Sequence, residues 1–215
     1  MKHASDITVI LDRSGSMEAI QSDVIGGFNQ FLRDQQHQPN ECWLTLVQFD
    51  DHYETVYAHS RIDQAPALTQ ATYQPRGTTA LLDAIGRTID ATGRRLSALP
   101  ESDRPDRVLL VIITDGLENA STDYSRAQIF QMISTQRDVY NWSFLFLAAN
   151  QDAIAEGAKV GIGAQQAMNF DASVAGVRLA SVAMSRAVSS FRATGSAELT
   201  DASSAKPRTK KKAVH

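Results

Sequence analysis

Apolar residues fall along the chain in two alternating rhythms. Continuous runs occur at Ile7-Thr8-Val9-Ile10-Leu11, Val108-Leu109-Leu110-Val111-Ile112-Ile113 and Phe144-Leu145-Phe146-Leu147-Ala148-Ala149. Runs of that kind, bounded by polar residues, are how strands of a parallel sheet covered on both faces read. Between them, Ile20, Val24, Phe28, Phe31 and Leu32 recur at helical spacing, as do Leu81, Leu82, Ile85, Ile89 and Leu96. Strand-like and helix-like segments therefore alternate, which predicts a doubly wound, Rossmann-like α/β fold with helices on both faces of a six-stranded, mostly parallel sheet. Strands are expected at 6–12, 42–50, 53–58, 107–114, 141–148 and near 166–170. Helices are expected at 17–37, 80–98, about 125–137, 152–160 and 173–193. Asp50-Asp51-His52 reads as a tight turn, so the third strand runs antiparallel to the second. Gly26 and Gly27 interrupt the first helix at about 1 kcal/mol each relative to alanine, which points to close packing against a neighbour. The connection 59–78 is long for a compact domain, and such loops are more often functional than idle.

The ends of the strand-like runs carry the candidate chemistry. Asp12-Arg13-Ser14-Gly15-Ser16 follows the first run and opens into a helical pattern. In open α/β sheets, ligands bind just beyond the carboxyl ends of the strands, and here a carboxylate and two hydroxyls stand at every second position of that edge. Hard oxygens without a nearby His or Cys suit Mg²⁺ or Mn²⁺ rather than zinc. Taken alone, the D-x-S-x-S run reads first as a turn in which Ser14 or Ser16 caps the helix. Two further segments shift that balance. Arg76-Gly77-Thr78-Thr79-Ala80-Leu81 brings a glycine turn and paired threonines to a helix start, and Ile112-Ile113-Thr114-Asp115-Gly116 ends a buried run in an acid and a glycine.

With these three segments taken together, the chain resembles the von Willebrand factor A (VWA) domain family and its metal-ion-dependent adhesion site, from about residue 5 to 170. The positions that match the family pattern are Asp12, Ser14 and Ser16 in the first loop, Thr79 in the second and Asp115 in the third. Thr79 is preferred to Thr78 because the pattern places the ligand threonine two residues before a leucine, here Leu81. The segments around Thr114-Asp115-Gly116-Leu117-Glu118-Asn119-Ala120-Ser121 and Ala148-Ala149-Asn150-Gln151-Asp152 are similar to small stand-alone bacterial or phage proteins of this family. The resemblance implies a bound Mg²⁺ or Mn²⁺ whose open position takes an Asp or Glu from a protein partner. With few carboxylates among its ligands, such an ion keeps positive charge that attracts an external one. Glu118 and Asn119 stand where they shape the rim of such an interface, and Asn150 closes the fifth strand beside it.

Composition narrows the remaining classes. The 215 residues suffice for one body, taken as 1–195, followed by a basic tail at 196–215 rich in Ser, Ala, Thr, Lys and Pro and expected to be disordered. That tail holds Lys206, Arg208, Lys210, Lys211 and Lys212 against Glu198 and Asp201, a balance of +3; with −3 overall, the body carries −6. An acidic body does not present a nucleic-acid face, and the basic run reads as a solvated terminus. Nothing approaches the ~20 apolar residues of a membrane span, and no signal-like segment precedes the first strand. A single Cys42 excludes an internal disulfide and suits a cytoplasmic setting. Enzyme classes fare poorly. A haloacid-dehalogenase-type phosphatase needs an acid where Ser14 stands, no Walker-A or G-x-G-x-x-G loop is present, and no His closes a parallel strand. The expected function is a non-enzymatic, metal-dependent interaction module. The alternatives are a scaffold subunit with a merely structural metal, or a weak metal-dependent hydrolase.

Overall fold

The computed structural model describes residues 4–149 and 152–199. Six strands, β1 (Ser5–Asp12), β2 (Cys42–Phe49), β3 (Tyr53–Arg61), β4 (Arg107–Thr114), β5 (Ser143–Ala149) and β6 (Ala167–Phe170), form one sheet. Their order is β3-β2-β1-β4-β5-β6. Only β3 is antiparallel, pairing with β2 across the Asp50 turn, as the sequence pattern requires. The helices are α1 (Gln21–Gln36), α2 (Leu81–Ser97), α3 (Arg126–Tyr140), α4 (Ala153–Lys159) and α5 (Val174–Thr194).

The apolar runs fill both faces of the sheet. Ile7, Val9 and Leu11 of β1 pack with Phe28 and Phe31 of α1 and Val188 and Phe191 of α5. Ile10 turns the other way, joining Leu110 and Ile112 of β4, Ile85 and Ile89 of α2, and Ile129 and Ile133 of α3. β1 lies between β2 and β4, with Leu11 level with both Gln48 and Ile113. Strand order reverses between β1 and β4, so their carboxyl ends splay their loops apart and leave a crevice at this switch point.

Four local features go beyond the sequence pattern, each for a physical reason. Residues Gly15–Ile20 form a 3₁₀ turn ahead of α1, because the Met17 N–H closes back on the Ser14 carbonyl at 3.0 Å. β3 runs on to Arg61 through an irregular register, with His59 in the left-handed region at φ 46° and stacked on Trp43 at 5.2 Å. The long connection after β3 is not an open loop. Ile62, Ala65, Leu68 and Tyr73 are buried in the core, and Asn29 of α1 holds both the N–H and the carbonyl of Leu68. After α5, Gly195 turns the chain back at φ 86°, Ala197 is buried, and Leu199 donates its N–H to the Gln165 carbonyl at 2.8 Å. The rest of the expected tail, 200–215, and Asn150 lie outside the described residues. Among the described residues no helix is long and apolar enough to cross a membrane.

Candidate functional site

Asp12 closes β1 and is wholly buried. Its Oδ1 accepts the Ser14 N–H at 2.6 Å, and its Oδ2 accepts the Thr114 hydroxyl at 2.6 Å. The carboxylate is thus pinned between the first loop and the end of β4. The Tyr73 hydroxyl donates to the Asp12 carbonyl at 2.7 Å, fixing the backbone as well. Ser14 stands at the N-cap of the 3₁₀ turn but makes no capping bond with its side chain. Its Oγ lies 3.1 Å from Ser16 Oγ, which in turn donates to Asp115 Oδ1 at 2.6 Å. Ser14, Ser16 and Asp115 therefore form one chain of oxygens.

Thr79 enters from the second loop, where Gly77 turns the backbone at φ 66° and Gly15 N–H reaches the Gly77 carbonyl at 3.2 Å. Its position is marked by Gly116. A Cβ built there would fall 2.9 Å from Thr79 Oγ1 and 3.7 Å from Ser16 Oγ. All five residues singled out in the sequence thus gather around the carboxyl ends of β1 and β4. Asp12, Ser14, Thr79 and Asp115 are buried, while Ser16 faces solvent, so the cluster is deep on one side and open on the other.

The electrostatics favour a cation. Arg13, the basic residue of the first loop, turns away: its Nε reaches Asp50 at 3.0 Å and one Nη reaches Glu54 at 2.6 Å. Burial pushes the Asp12 carboxyl up to about 6, more than the bonds from Thr114 and Ser14 pull it down. Asp115 is raised as well, again by burial, with the Ser16 hydroxyl working against it. Two carboxylates kept from water, with no ion pair to a basic side chain among the described residues, fit a hard divalent ion, as do hydroxyls whose lone pairs stay free once their protons are donated.

A second acidic group behaves differently. Asp50, Asp51 and His52 bring their potential ligand atoms within 4.8 Å of one another. Yet buried Asp50 already accepts Arg13 Nε at 3.0 Å and Arg76 Nε at 2.9 Å. Burial opposes its ionisation, but bonds from Arg76 and the His52 N–H and the Arg13 charge outweigh it and hold the carboxyl below its usual range. That carboxylate is matched by two guanidinium groups. Its role is to tie the β2–β3 turn to the first and second loops.

Sequence reasoning did not single out Thr114, Tyr73, Arg13 or Arg76 as parts of this architecture. Thr114 was within reach, since it sits at the strand end in Thr-Asp-Gly; Tyr73 carried no local signal. Of the two residues expected at the rim, Glu118 holds the start of α2 through the Leu82 N–H, and Asn119 holds the Thr79 N–H in the second loop.

Residues 6–173 match the sequence model described as the von Willebrand factor type A domain. Among solved structures, a pilus adhesin, SpaC from Lactobacillus rhamnosus GG in an open conformation, aligns with a TM-score of 0.65 at 15% identity, over 87% of this chain and 30% of that one. Proximal thread matrix protein 1 from the mussel byssus, with a zinc-occupied MIDAS motif, gives 0.54 at 16% identity, over 84% and 46%. A von Willebrand factor type A structure from Catenulispora acidiphila gives 0.54 at 15%, over 86% and 42%. Likeness at such identities establishes shared fold alone, and the chain spans less than half the length of each of these structures. No curated protein matches it.

Proposed function

The chain belongs to the von Willebrand factor type A domain family, and from that premise we propose that it is a metal-dependent protein-interaction module rather than an enzyme. Asp12, Ser14, Ser16, Thr79 and Asp115 would hold Mg²⁺ or Mn²⁺. The observation that carries this reading is the convergence of two buried carboxylates and three hydroxyls with no cationic side chain among the described residues paired to those carboxylates. The donor set is all oxygen, which favours Mg²⁺ or Mn²⁺ over softer ions. A structure of the same fold, proximal thread matrix protein 1 from the mussel byssus, was solved with zinc in a MIDAS motif, which is in keeping with a metal site on this fold.

When bound, the ion supplies a Lewis-acidic position toward solvent that takes an Asp or Glu carboxylate of a partner protein. The chain's own part is to prepare that position. Thr114 and the Ser14 N–H fix the Asp12 carboxylate, Ser16 and Asp115 form the open edge, and the Asp50 network holds Arg13 and its positive charge aside. Calorimetric titration tests the reading. Wild type should bind one Mn²⁺, Asp12→Ala/Ser14→Ala should lose that binding while remaining folded, and capture of a partner from the native host should fail with EDTA. Unchanged Mn²⁺ affinity in the double variant would place the site elsewhere.

A further inference from the structure

The start of α2 lacks a cap of its own. Ala80 stands at its N-cap and offers no side-chain acceptor. The orphaned N–H groups are served by the loop after β4: Glu118 Oε2 accepts Leu82 N–H at 2.8 Å, and Ser121 Oγ accepts Asp83 N–H at 3.1 Å. The favour is returned. The Asp83 carboxylate accepts the N–H groups of Thr122, Asp123 and Tyr124 at 2.9 to 3.0 Å. Tyr124 lies against Gly86 and donates its hydroxyl to Asp90 at 2.7 Å. The third loop and the first turns of α2 are therefore one hydrogen-bonded unit.

Within that unit, Asn119 does something else. Its Oδ1 accepts the Thr79 N–H at 2.9 Å, while its own N–H donates to the Thr79 carbonyl at 3.1 Å. Thr79 precedes the N-cap, so its N–H is not one of the helix's orphans, and Glu118 and Ser121 already serve that end. The Asn119 pair instead grips both polar groups of the residue whose hydroxyl lies beside Gly116, close to where Ser16 Oγ also approaches. We propose that Asn119 is the positioning residue that presets Thr79 as a metal ligand, so that the second and third loops deliver their oxygens together. This inference rests on the metal-site reading above.

A double-mutant cycle read by Mn²⁺ calorimetry tests it, with water-proton relaxation of the bound Mn²⁺ reporting how many waters the ion keeps. Thr79→Ala and Asn119→Ala should each weaken Mn²⁺ binding by about two- to tenfold, the range of one hydrogen-bond-sized contribution. The double variant should be no weaker than Thr79→Ala alone, because both changes remove the same contact. Both single variants should raise proton relaxation by the same amount, a readout that loss of general stability does not move. Asn119→Asp, which keeps the acceptor oxygen, should bind at least as tightly as wild type.

If Asn119→Ala binds like wild type, or its loss multiplies with that of Thr79→Ala, the positioning role is overturned and the metal site stands. Should Asn119→Asp bind as weakly as Asn119→Ala, the acceptor is not what matters and the role is likewise overturned. If Thr79→Ala itself changes neither affinity nor relaxation, Thr79 is no ligand; this inference then falls together with that part of the site.

Discussion

Gly116 is where a single atom decides the site. Its φ does not lie in the left-handed region, so glycine is not required there for conformation; it is required for room. A methyl group would sit 2.9 Å from Thr79 Oγ1, closer than real Cβ contacts allow, and the threonine held by Asn119 cannot retreat easily. Gly116→Ala is therefore expected to weaken Mn²⁺ binding about tenfold or more while moving the melting temperature little, a separation that calorimetry and thermal unfolding can check together. The alternate spacing of Asp12, Ser14 and Ser16 at the end of a buried run was legible in the sequence, because a strand edge presents such a run directly. Thr79 was legible only through family resemblance, since nothing local distinguishes it from Thr78. The Thr114 bond to Asp12 and the Tyr73 bond to its carbonyl join residues 102 and 61 positions apart, and no local pattern encodes such pairings. Asn119 was legible as a residue near the site but not in its direction, because its bonds to Thr79 join two loops 40 positions apart.

Elements show the same division between periodic and non-local information. The strand and helix bodies follow from hydrophobic period, and their bounds shift only where a hydrogen-bond pattern changes, as in the 3₁₀ turn before α1 or the irregular pairing at His59. The paired glycines of α1 are a finer case. Both interrupt a helix, but Gly26 faces open space, whereas a Cβ at Gly27 would overlap Ser181 Oγ and lie 3.8 Å from Val177 Cγ1 on α5. Close packing is thus the business of Gly27 alone. Gly27→Ala should destabilise by about 1–3 kcal/mol through overpacking, measured by denaturant unfolding. Gly26→Ala should stabilise by up to about 1 kcal/mol, as alanine does in a helix interior. Adding Ser181→Ala, which removes the overlapping oxygen without a helix penalty, to Gly27→Ala should recover part of the loss; if it recovers none, the clash with α5 is not the cause.

Across the whole molecule, the site and the stability of the fold are linked through protons. Without metal, Asp12 binds its proton with a pKa of about 6 in the folded chain against 3.8 for the ordinary carboxyl. Between those values the native state holds more protons than the unfolded one, so stability falls as pH rises through this window. Below it the group is neutral in both states and there is no penalty; above it the penalty is complete, about 3 kcal/mol from the size of the shift. Asp115, raised in the same direction, adds to the slope. A divalent ion binds the ionised carboxylates, so it should offset the penalty where they are charged and compete with protons where they are not. At about 100 times its Kd the ion contributes about 2.7 kcal/mol, which for a chain of 215 residues corresponds to a rise in Tm of roughly 5–10 °C. The expected result is a Mn²⁺-induced rise of that size at pH 7.5 that shrinks to about half of it at pH 5, where roughly a tenth of the Asp12 carboxyl is ionised. Asp12→Asn keeps the shape and removes the titration. Its metal-free form should be more stable than wild type at pH 7.5, level with it near pH 4, and indifferent to Mn²⁺. If wild type instead gains as much from Mn²⁺ at pH 5 as at pH 7.5, the ion is held by groups other than the Asp12 carboxylate, and the link between site and fold drawn here is wrong.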